Sequence, residues 1–316
     1  MMQKIATREA YGKALVKLGE KYRDLVVLDA DLAKSTKTAD FAKVYPERFF
    51  DMGIAEQNMM ATAAGLAAAG KIPFASTFAV FATGRAYDQV RNSIAYPRLN
   101  VKIGASHAGI TVGEDGGSHQ SIEDIALMRV LPNMTVIVPA DAVETEQAVA
   151  AAVEIDGPVY LRLGRLAVPV IYDQEYRFTF GQAVCLRSGR EAAIIATGIM
   201  VAEALEAANI LAERGIEITV LNVHTIKPLD VETIVAVARE TGAVVTAEEH
   251  SVIGGLGSAV AEVLIENYPV PMKRVGVMDR FGESGTPGEL MEKYGLTATH
   301  LVVAVEEVLA RKARNI

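Results

Sequence analysis

Residues 8–29 read REAYGKALVKLGEKYRDLVVLD. Apolar residues recur at helical spacing over residues 8–21, and residues 25–28 are a short apolar run with no polar residue between its members. A strand that is apolar at every position is typical of a parallel sheet covered by helices on both faces. This stretch therefore predicts a helix followed by a doubly buried strand, as in an α/β fold.

The same alternation continues along the chain and predicts an α/β class with two successive domains. Each domain is expected to be a mostly parallel sheet flanked by helices. The predicted strands are 25–29, 72–74, 101–104, 135–138 and 159–163, then 192–197, 216–223, 243–247 and 274–277. The predicted helices include 8–21, 55–69, 121–129 and 142–155, then 231–241, 258–266 and 301–311.

Between residues 166 and 189 the periodicity fails, and Pro169, Asp173 and Gly181 suit a segment that crosses between domains. We therefore expect a first domain over residues 1–168, a linker over 169–189 and a second domain over 190–316.

Composition narrows the possible functions. The 316 residues suffice for two domains, and 51% hydrophobic with 22% charged residues is a normal globular mixture. The 31 Lys and Arg residues against 39 Asp and Glu give a net charge of −8, so the chain lacks the positive charge that nucleic-acid binding needs. The single cysteine, Cys185, cannot form an internal disulfide, and we expect it to be a small buried hydrophobic residue.

The first residues run directly into charged, helix-like sequence without the apolar core of a secretory signal. The longest low-charge stretches, 57–70 and 72–84, are shorter than the roughly 18–20 apolar residues that a membrane span needs. We therefore expect a soluble, cytoplasmic protein without a membrane partner.

Two segments could contact a planar ligand. Glu56 stands at the entry to an Ala-rich helix and could be a buried acid that shares a proton with a ligand nitrogen, although a glutamate that complements the helix dipole is the commoner case. Phe78 and Phe81, three positions apart, would share one face if the segment is helical, and they could stack on a heterocycle or simply pack in the core.

The most polar loop, residues 106–120, joins a predicted strand to a predicted helix. It holds His107, His119, Glu114 and Asp115 among several glycines, at the edge of a parallel sheet where ligands usually bind. A glycine-rich turn explains the glycines but not the paired histidines, so we favour a functional role. The histidine spacing fits no known zinc motif and no cysteine is near, so we expect no metal site in this chain.

Taken together and in this order, residues 53–58 (GIAEQN), 77–81 (TFAVF) and 113–120 (GEDGGSHQ) resemble the thiamin-diphosphate-dependent transketolase family. The resemblance covers essentially the whole chain but only the second half of the family's usual length. It implies a pyrimidine-binding domain followed by the family's C-terminal domain.

The resemblance implies transfer of a two-carbon ketol unit from a ketose phosphate to an aldose phosphate. It implies that Glu56 hydrogen-bonds the aminopyrimidine ring of thiamin diphosphate and that His107 and His119 are also catalytic. The implied cofactor-binding residues are Glu56, Phe78, Phe81 and Asp31. The implied substrate-binding residues are Arg8, Ser35, His107 and Arg165, which would clamp the sugar phosphate, with Asp115 and His119 at the sugar hydroxyls.

The chain departs from the family pattern at several positions. Transketolases usually show Asp-Ser where this chain has Ala108-Gly109, and Pro-Thr where it has Gly117-Ser118. Gly84 replaces an aromatic residue often found three positions after the second phenylalanine, which would leave the pyrimidine pocket more open on that side.

A larger departure is the absence from the sequence of Gly-Asp-Gly followed by Asn, the family's magnesium and diphosphate motif. The resemblance therefore implies that the Mg²⁺ ligands come from a separate subunit equivalent to the family's N-terminal half. It also implies self-association as a dimer and an α2β2-type assembly, with the second domain contributing mainly to dimer packing.

Three other interpretations stay open. The chain is also similar to 1-deoxyxylulose-5-phosphate synthase, which shares GIAEQ and the 86–89 stretch AYDQ but typically has arginine where His107 stands. The beta subunits of 2-oxo-acid dehydrogenases share the half-length architecture, although their loop differs from residues 113–120. A non-catalytic assembly subunit is the third alternative.

Overall fold

The computed structural model describes residues 3–314 and confirms the α/β class. The strands are β1 (Lys4–Ala6), β2 (Leu25–Asp29), β3 (Phe49–Asp51), β4 (Ile72–Phe78), β5 (Lys102–Ser106), β6 (Thr135–Ile137), β7 (Val159–Arg162), β8 (Ala167–Pro169), β9 (Val184–Arg187), β10 (Ala193–Ala196), β11 (Thr219–Asn222), β12 (Thr225–Lys227), β13 (Val244–Ser251) and β14 (Met272–Val277). The α-helices are α1 (Thr7–Lys21), α2 (Ala33–Thr36), α3 (Ala39–Val44), α4 (Glu56–Ala68), α5 (Tyr87–Gln89), α6 (Asp124–Arg129), α7 (Ala142–Glu154), α8 (Met200–Ala212), α9 (Val231–Thr241), α10 (Leu256–Asn267), α11 (Pro287–Lys293) and α12 (Ala298–Arg314).

The first sheet has the strand order β12-β6-β7-β5-β4-β2-β3, and only β12 runs antiparallel to its neighbour. Strand β2 is buried at every position, as its apolar sequence predicts. Leu25 and Val27 pack with α1 and α7 on one face, whereas Val26 and Leu28 pack with α4 on the other. Burial on both faces is the reason that this strand contains no alternating polar residues.

The second sheet has the order β14-β13-β10-β11-β9, with only β9 antiparallel. Helices α8 and α12 cover one face. Helices α9 and α10 cover the other and belong to the same hydrophobic cluster as α4 and the first sheet. The two sheets therefore share a continuous apolar core, and β12, from the second half of the chain, extends the first sheet.

Several elements differ from the sequence prediction. Strand β4 continues to Phe78, four residues beyond its predicted end, and α6 begins only at Asp124. The three-residue strands β3 and β12 were not predicted, because such short edge strands have no measurable periodicity. Strand β9 lies within the segment predicted as a linker, whose boundaries stay a prediction.

The expectation for Cys185 is wrong, because its side chain is exposed on the edge strand β9. An edge strand has no neighbour on one side, so a small apolar residue there need not be buried. Within residues 3–314, no helix combines the length and the hydrophobicity required to cross a membrane.

A buried ion pair lies where the two domains meet. Arg162, at the carboxyl end of β7, pairs with Asp124 at 2.8 Å and donates a second hydrogen bond to the backbone carbonyl of Glu249 on β13 at 2.8 Å. Burial by itself would raise the pKa of Asp124, but the Arg162 guanidinium outweighs it and holds this pKa below its usual value. We call Arg162, Asp124 and the Glu249 carbonyl the domain seam.

Removing one partner of the domain seam should destabilise the whole chain. Arg162→Met leaves the Asp124 carboxylate buried without its counter-charge, so we expect the free energy of unfolding to fall by about 3–5 kcal/mol. Urea denaturation followed by circular dichroism measures this loss.

The matched control is Lys17→Met, which breaks the exposed ion pair between Lys17 and Glu146. That change should cost less than about 1 kcal/mol, because exposed pairs are weak. Similar small losses in both variants would show that the seam does not hold the domains together.

Candidate active site

The site lies where parallel strands of the first sheet end at one edge. The register pairs Asp29 of β2 with Ser76 of β4, and Phe78 of β4 with Ser106 of β5, so these strands end close together. Because parallel strands present their carboxyl ends at the same edge, the loops that follow them converge there. The segments after β2, β3, β4, β5 and β7 carry most of the residues described below, and Arg8 comes from the first turn of α1.

Glu56 is the first residue of α4 and is only 1% exposed. Its carboxylate therefore complements the helix dipole and also lies in the buried part of the site, so the two interpretations of the sequence are compatible. Arg85 donates from Nη1 to both carboxylate oxygens of Glu56, at 2.8 and 2.9 Å. No sequence pattern predicts this contact, because the two residues are 29 positions apart.

Four rings gather on the other side of Arg85, whose guanidinium bonds Glu56 and also lies 4.3 Å from the centroid of the Phe81 ring. Phe78 ends β4 and Phe81 opens a π-helical turn (Phe81–Arg85), so the two do not lie on one regular helix, yet the rings stack at 5.9 Å with a 10° interplanar angle. The His107 ring stacks on Phe78 at 3.7 Å. His119 meets Phe81 edge-on at 5.5 Å. These rings form an aromatic wall suited to a planar ligand.

The hydrogen bonds of His107 identify its tautomer. Its Nε2 lies 3.2 Å from Nη1 of Arg8, and its Nδ1 lies 2.9 Å from the Ser106 hydroxyl. Arginine can only donate, so Nε2 must accept and the ring proton is on Nδ1. Burial lowers the pKa of His107, and the nearby Arg8 charge lowers it further, to about 3. His107 is therefore a neutral ring.

Two arginines border the same opening. Arg8 donates to the Ser35 carbonyl at 2.9 Å, so Ser35 contributes its backbone rather than its hydroxyl. The Arg8 Nε has no hydrogen-bond acceptor among residues 3–314. Arg165 lies 3.6 Å from Asp115 and 3.7 Å from Glu114. Two guanidinium groups near one opening suit an anionic ligand.

Asp31 lies at the rim of the site. Its backbone adopts the left-handed conformation, with φ of 61°, and its N–H donates to the Asp51 carboxylate at 3.1 Å. The same carboxylate accepts the N–H of Gly53 at 3.0 Å, which ties the Asp31 loop to the segment that leads into Glu56. The structure thus brings the Asp31 loop to the same edge as the predicted residues, although the Asp31 side chain is exposed.

The second domain braces the histidine loop, a role that the sequence did not reveal. The buried Glu249 carboxylate on β13 accepts the backbone N–H of Thr111 at 2.7 Å. Gly109 has φ of 83°, and a Cβ there would lie 2.2 Å from the Glu249 carboxyl carbon. On the other side of the loop, Gln120 donates to the backbone carbonyl of Glu283 at 2.9 Å. The second domain therefore shapes the loop that carries His107 and His119.

The residues gathered at this edge fit the pyrimidine part of thiamin diphosphate. A buried carboxylate beside an aromatic wall suits an aminopyrimidine, which is planar and carries a ring nitrogen that can bond to an acid. In the described part of the chain, no three His, Cys, Asp or Glu side chains gather so that they could hold a metal ion.

Comparison with known proteins identifies both halves of the chain. Residues 3–170 match the family model for the transketolase pyrimidine-binding domain, and residues 181–301 match the model for the transketolase C-terminal domain. A Methanocaldococcus jannaschii protein named for the C-terminal section of transketolase is 51% identical, and the alignment covers 96% of each chain. A 6-deoxy-6-sulfo-D-fructose transketolase subunit, SqwH, from a Clostridium species is 50% identical over 96% of this chain and 95% of its own.

A solved structure described as a split-gene transketolase in an inactive beta4 tetramer superposes with a TM-score of 0.92 at 62% identity. The superposition covers 98% of this chain and 99% of that one. Both the sequence and the fold therefore match over nearly the whole length.

The neutral state of His107 can be tested by NMR. We expect its ring ¹⁵N shifts to stay those of a neutral Nδ1–H tautomer from about pH 8 to about pH 5, a range in which an ordinary histidine takes up a proton. His107→Gln identifies its signals by their disappearance. A titration midpoint near 6.5 would contradict the burial and charge argument.

The lowered pKa of His107 also makes the stability of the fold depend on pH. Below about pH 6.5 the unfolded chain protonates His107, whereas the folded chain does not until about pH 3. Because the unfolded state then binds more protons, this residue destabilises the fold as the pH falls through that window. His107→Gln should therefore lose stability less steeply between about pH 6.5 and about pH 4 than the unmodified chain.

Proposed function

The chain belongs to the transketolase family, as its C-terminal section, and from this premise we propose that it is the catalytic beta-type subunit of a split transketolase. With thiamin diphosphate, the assembled enzyme transfers a two-carbon ketol unit from a ketose phosphate to an aldose phosphate. The observation that carries this proposal is the buried Glu56 carboxylate beside the aromatic wall, at the same sheet edge as His107 and His119.

Thiamin diphosphate, when bound, supplies the carbon nucleophile that attacks the ketose carbonyl and absorbs the charge of the broken carbon–carbon bond. Glu56 holds the aminopyrimidine by a hydrogen bond and so sets which ring nitrogen carries a proton. Phe78 and Phe81 exclude water from one side of that ring. Asp31, at the rim, completes the cofactor pocket where the two kinds of subunit meet.

The remaining residues position the sugar. Arg8 and Arg165 hold its phosphate by charge-assisted hydrogen bonds, with Ser35 fixing the Arg8 side chain. His107, held neutral, offers Nε2 as an acceptor for a sugar hydroxyl that displaces Arg8 from it. His119 bonds Ser118 through Nδ1 at 3.0 Å, and we assign its Nε2, together with Asp115, to the hydroxyls next to the reacting carbons.

A partner subunit completes the enzyme. Because residues 3–314 hold no metal-ligand cluster, we assign the Mg²⁺ and diphosphate contacts to a separate chain equivalent to the family's N-terminal half. The beta4 tetramer described as inactive is consistent with this, since a homologous beta chain assembles there without such a partner. We propose that this chain likewise self-associates and becomes active in an α2β2-type assembly.

The first test is ketol transfer from xylulose 5-phosphate to ribose 5-phosphate with thiamin diphosphate and Mg²⁺. We expect turnover when this chain is mixed with the N-terminal-half chain from the same source, and none with this chain alone. Absence of turnover in the mixture, with both chains folded and associated, would contradict the proposal.

Glu56→Gln should lower kcat of the mixture by at least about a hundredfold, because an amide cannot supply the same proton-sharing carboxylate. Glu146→Gln is the matched control, since Glu146 lies on α7 and forms its ion pair with the exposed Lys17. Turnover of Glu56→Gln at the level of the control would remove Glu56 from the catalytic set.

Arg165→Ala should raise KM for phosphorylated sugars about tenfold or more, because one guanidinium contact to a phosphate is lost. The readout that identifies a phosphate contact is the comparison with a non-phosphorylated acceptor, whose KM should stay nearly unchanged. An equal rise in KM for both kinds of acceptor would exclude Arg165 from the phosphate clamp.

A further inference from the structure

Arg85 occupies a place beside Glu56 that no function described above explains. It is the last residue of the π-helical turn Phe81–Arg85, and its Nη1 lies 2.8 and 2.9 Å from the two carboxylate oxygens of Glu56. Its guanidinium carbon lies 4.3 Å from the centroid of the Phe81 ring. One planar cation thus bonds the buried acid and covers the aromatic wall at the same time.

These two contacts are the contacts that an aminopyrimidine needs. A guanidinium is flat, delocalised and rich in N–H donors, and it stacks on aromatic rings. An aminopyrimidine is also flat, and it presents a ring nitrogen to the acid and a face to the aromatic ring. The guanidinium and the pyrimidine therefore compete for the Glu56 carboxylate and for the surface of Phe81.

We propose that Arg85 is a displaceable plug, which pairs with Glu56 in the chain by itself and must swing away when the pyrimidine half of thiamin diphosphate enters. This inference rests on the proposed function, because it concerns the same pyrimidine site. It adds that the pyrimidine replaces the Arg85 guanidinium at Glu56 and Phe81, so that Arg85 competes with the cofactor.

The local structure permits the exchange. The Arg85 side chain is 46% exposed, whereas Glu56 is 1% exposed, so the arginine can leave toward solvent while the acid stays in place. The preceding residue, Gly84, has open space around its Cα, since a Cβ there would meet nothing within 4 Å. The backbone carbonyl of Arg85 is held by the Gln57 side chain at 3.1 Å, so the movement is confined to the Arg85 side chain.

The plug also explains how the chain tolerates a buried acid. A carboxylate that is almost completely buried is costly unless it is paired. Arg85 supplies that partner without filling the site permanently, because an ion pair with one exposed member is weak enough to be exchanged. Replacing Arg85 by an uncharged residue would therefore have two opposite effects. The free chain would be less stable, and the pyrimidine would bind more tightly.

The experiment is a calorimetric titration of the full chain with 4-amino-5-hydroxymethyl-2-methylpyrimidine, the pyrimidine half of thiamin diphosphate. This probe needs no diphosphate or Mg²⁺ site. We expect Arg85→Met to bind it roughly three- to tenfold more tightly than the unmodified chain, because the competing ion pair is gone. The same variant without the probe should melt at a lower temperature.

Arg91→Met is the matched control, because Arg91 is exposed on the next turn of the chain and its Nη1 bonds Asn92. It should leave both the affinity and the melting temperature unchanged. Arg85→Gln, which keeps a polar side chain without charge, should behave as Arg85→Met does, and circular dichroism confirms that each variant is folded.

Unchanged or weaker binding by both Arg85 variants would overturn the plug, since Arg85 would then be indifferent to the pyrimidine or assist it. That result leaves the pyrimidine site itself intact, because the unmodified chain binds the probe. Failure of every form to bind, with all forms folded, would instead overturn the pyrimidine site and the plug together.

Discussion

The buried guanidinium of Arg162 is the interaction on which the rest of the molecule depends. Arg162 is the last residue of β7. Its guanidinium pairs with Asp124 at the start of α6 and donates a hydrogen bond to the backbone carbonyl of Glu249 on the second sheet. Each of these contacts lies on a different element, so the guanidinium fixes the first sheet, the helix after the histidine loop and the second domain relative to one another. A buried charge of this kind is stable only when it is paired and hydrogen-bonded, and here both domains supply its acceptors.

The contact between the two domains also affects the candidate site, through the carboxylate of Glu249. Glu249 binds Arg162 through its carbonyl and the N–H of Thr111 through its side chain, so the loop of His107 and His119 is held by the same residue that closes the domain seam. Two of the departures from the transketolase pattern, at Gly109 and Gly117, belong to this arrangement. Gly109 faces the Glu249 carboxyl group, and Gly117 faces the Gly282 carbonyl, to which an added Cβ would come within 2.7 Å. Larger residues at either position would push the second domain away from the loop.

The features that local sequence determines were predictable. An apolar run such as β2 shows burial on both faces directly, and a loop with two histidines among glycines indicates a site before any contact is known. The contacts that define the site were not predictable, because they join distant positions. Arg8 and His107 are 99 residues apart, and Arg85 reaches Glu56 only because a π-helical turn follows β4. Hydrophobic periodicity predicts which residues of one helix or strand face the core. The contacts between distant residues depend instead on the order of the strands in the sheet.

Both arginines at the edge of the site, Arg8 and Arg165, already make contacts within the chain. Arg165 is paired with Asp115 and Glu114, and Arg8 bonds the His107 ring and the Ser35 carbonyl through Nη1, while its Nε has no acceptor among residues 3–314. A ligand at Arg165 must therefore replace carboxylate contacts, whereas one at Arg8 can also use the free Nε. Exposed ion pairs are weak and exchange readily, while a doubly charged anion forms stronger, bidentate bonds with arginine. A neutral sugar offers no such gain, because its hydroxyls cannot displace a carboxylate from a guanidinium. The proposed clamp of Arg8 and Arg165 would therefore select first for an anionic group and only then for the shape of the molecule that carries it.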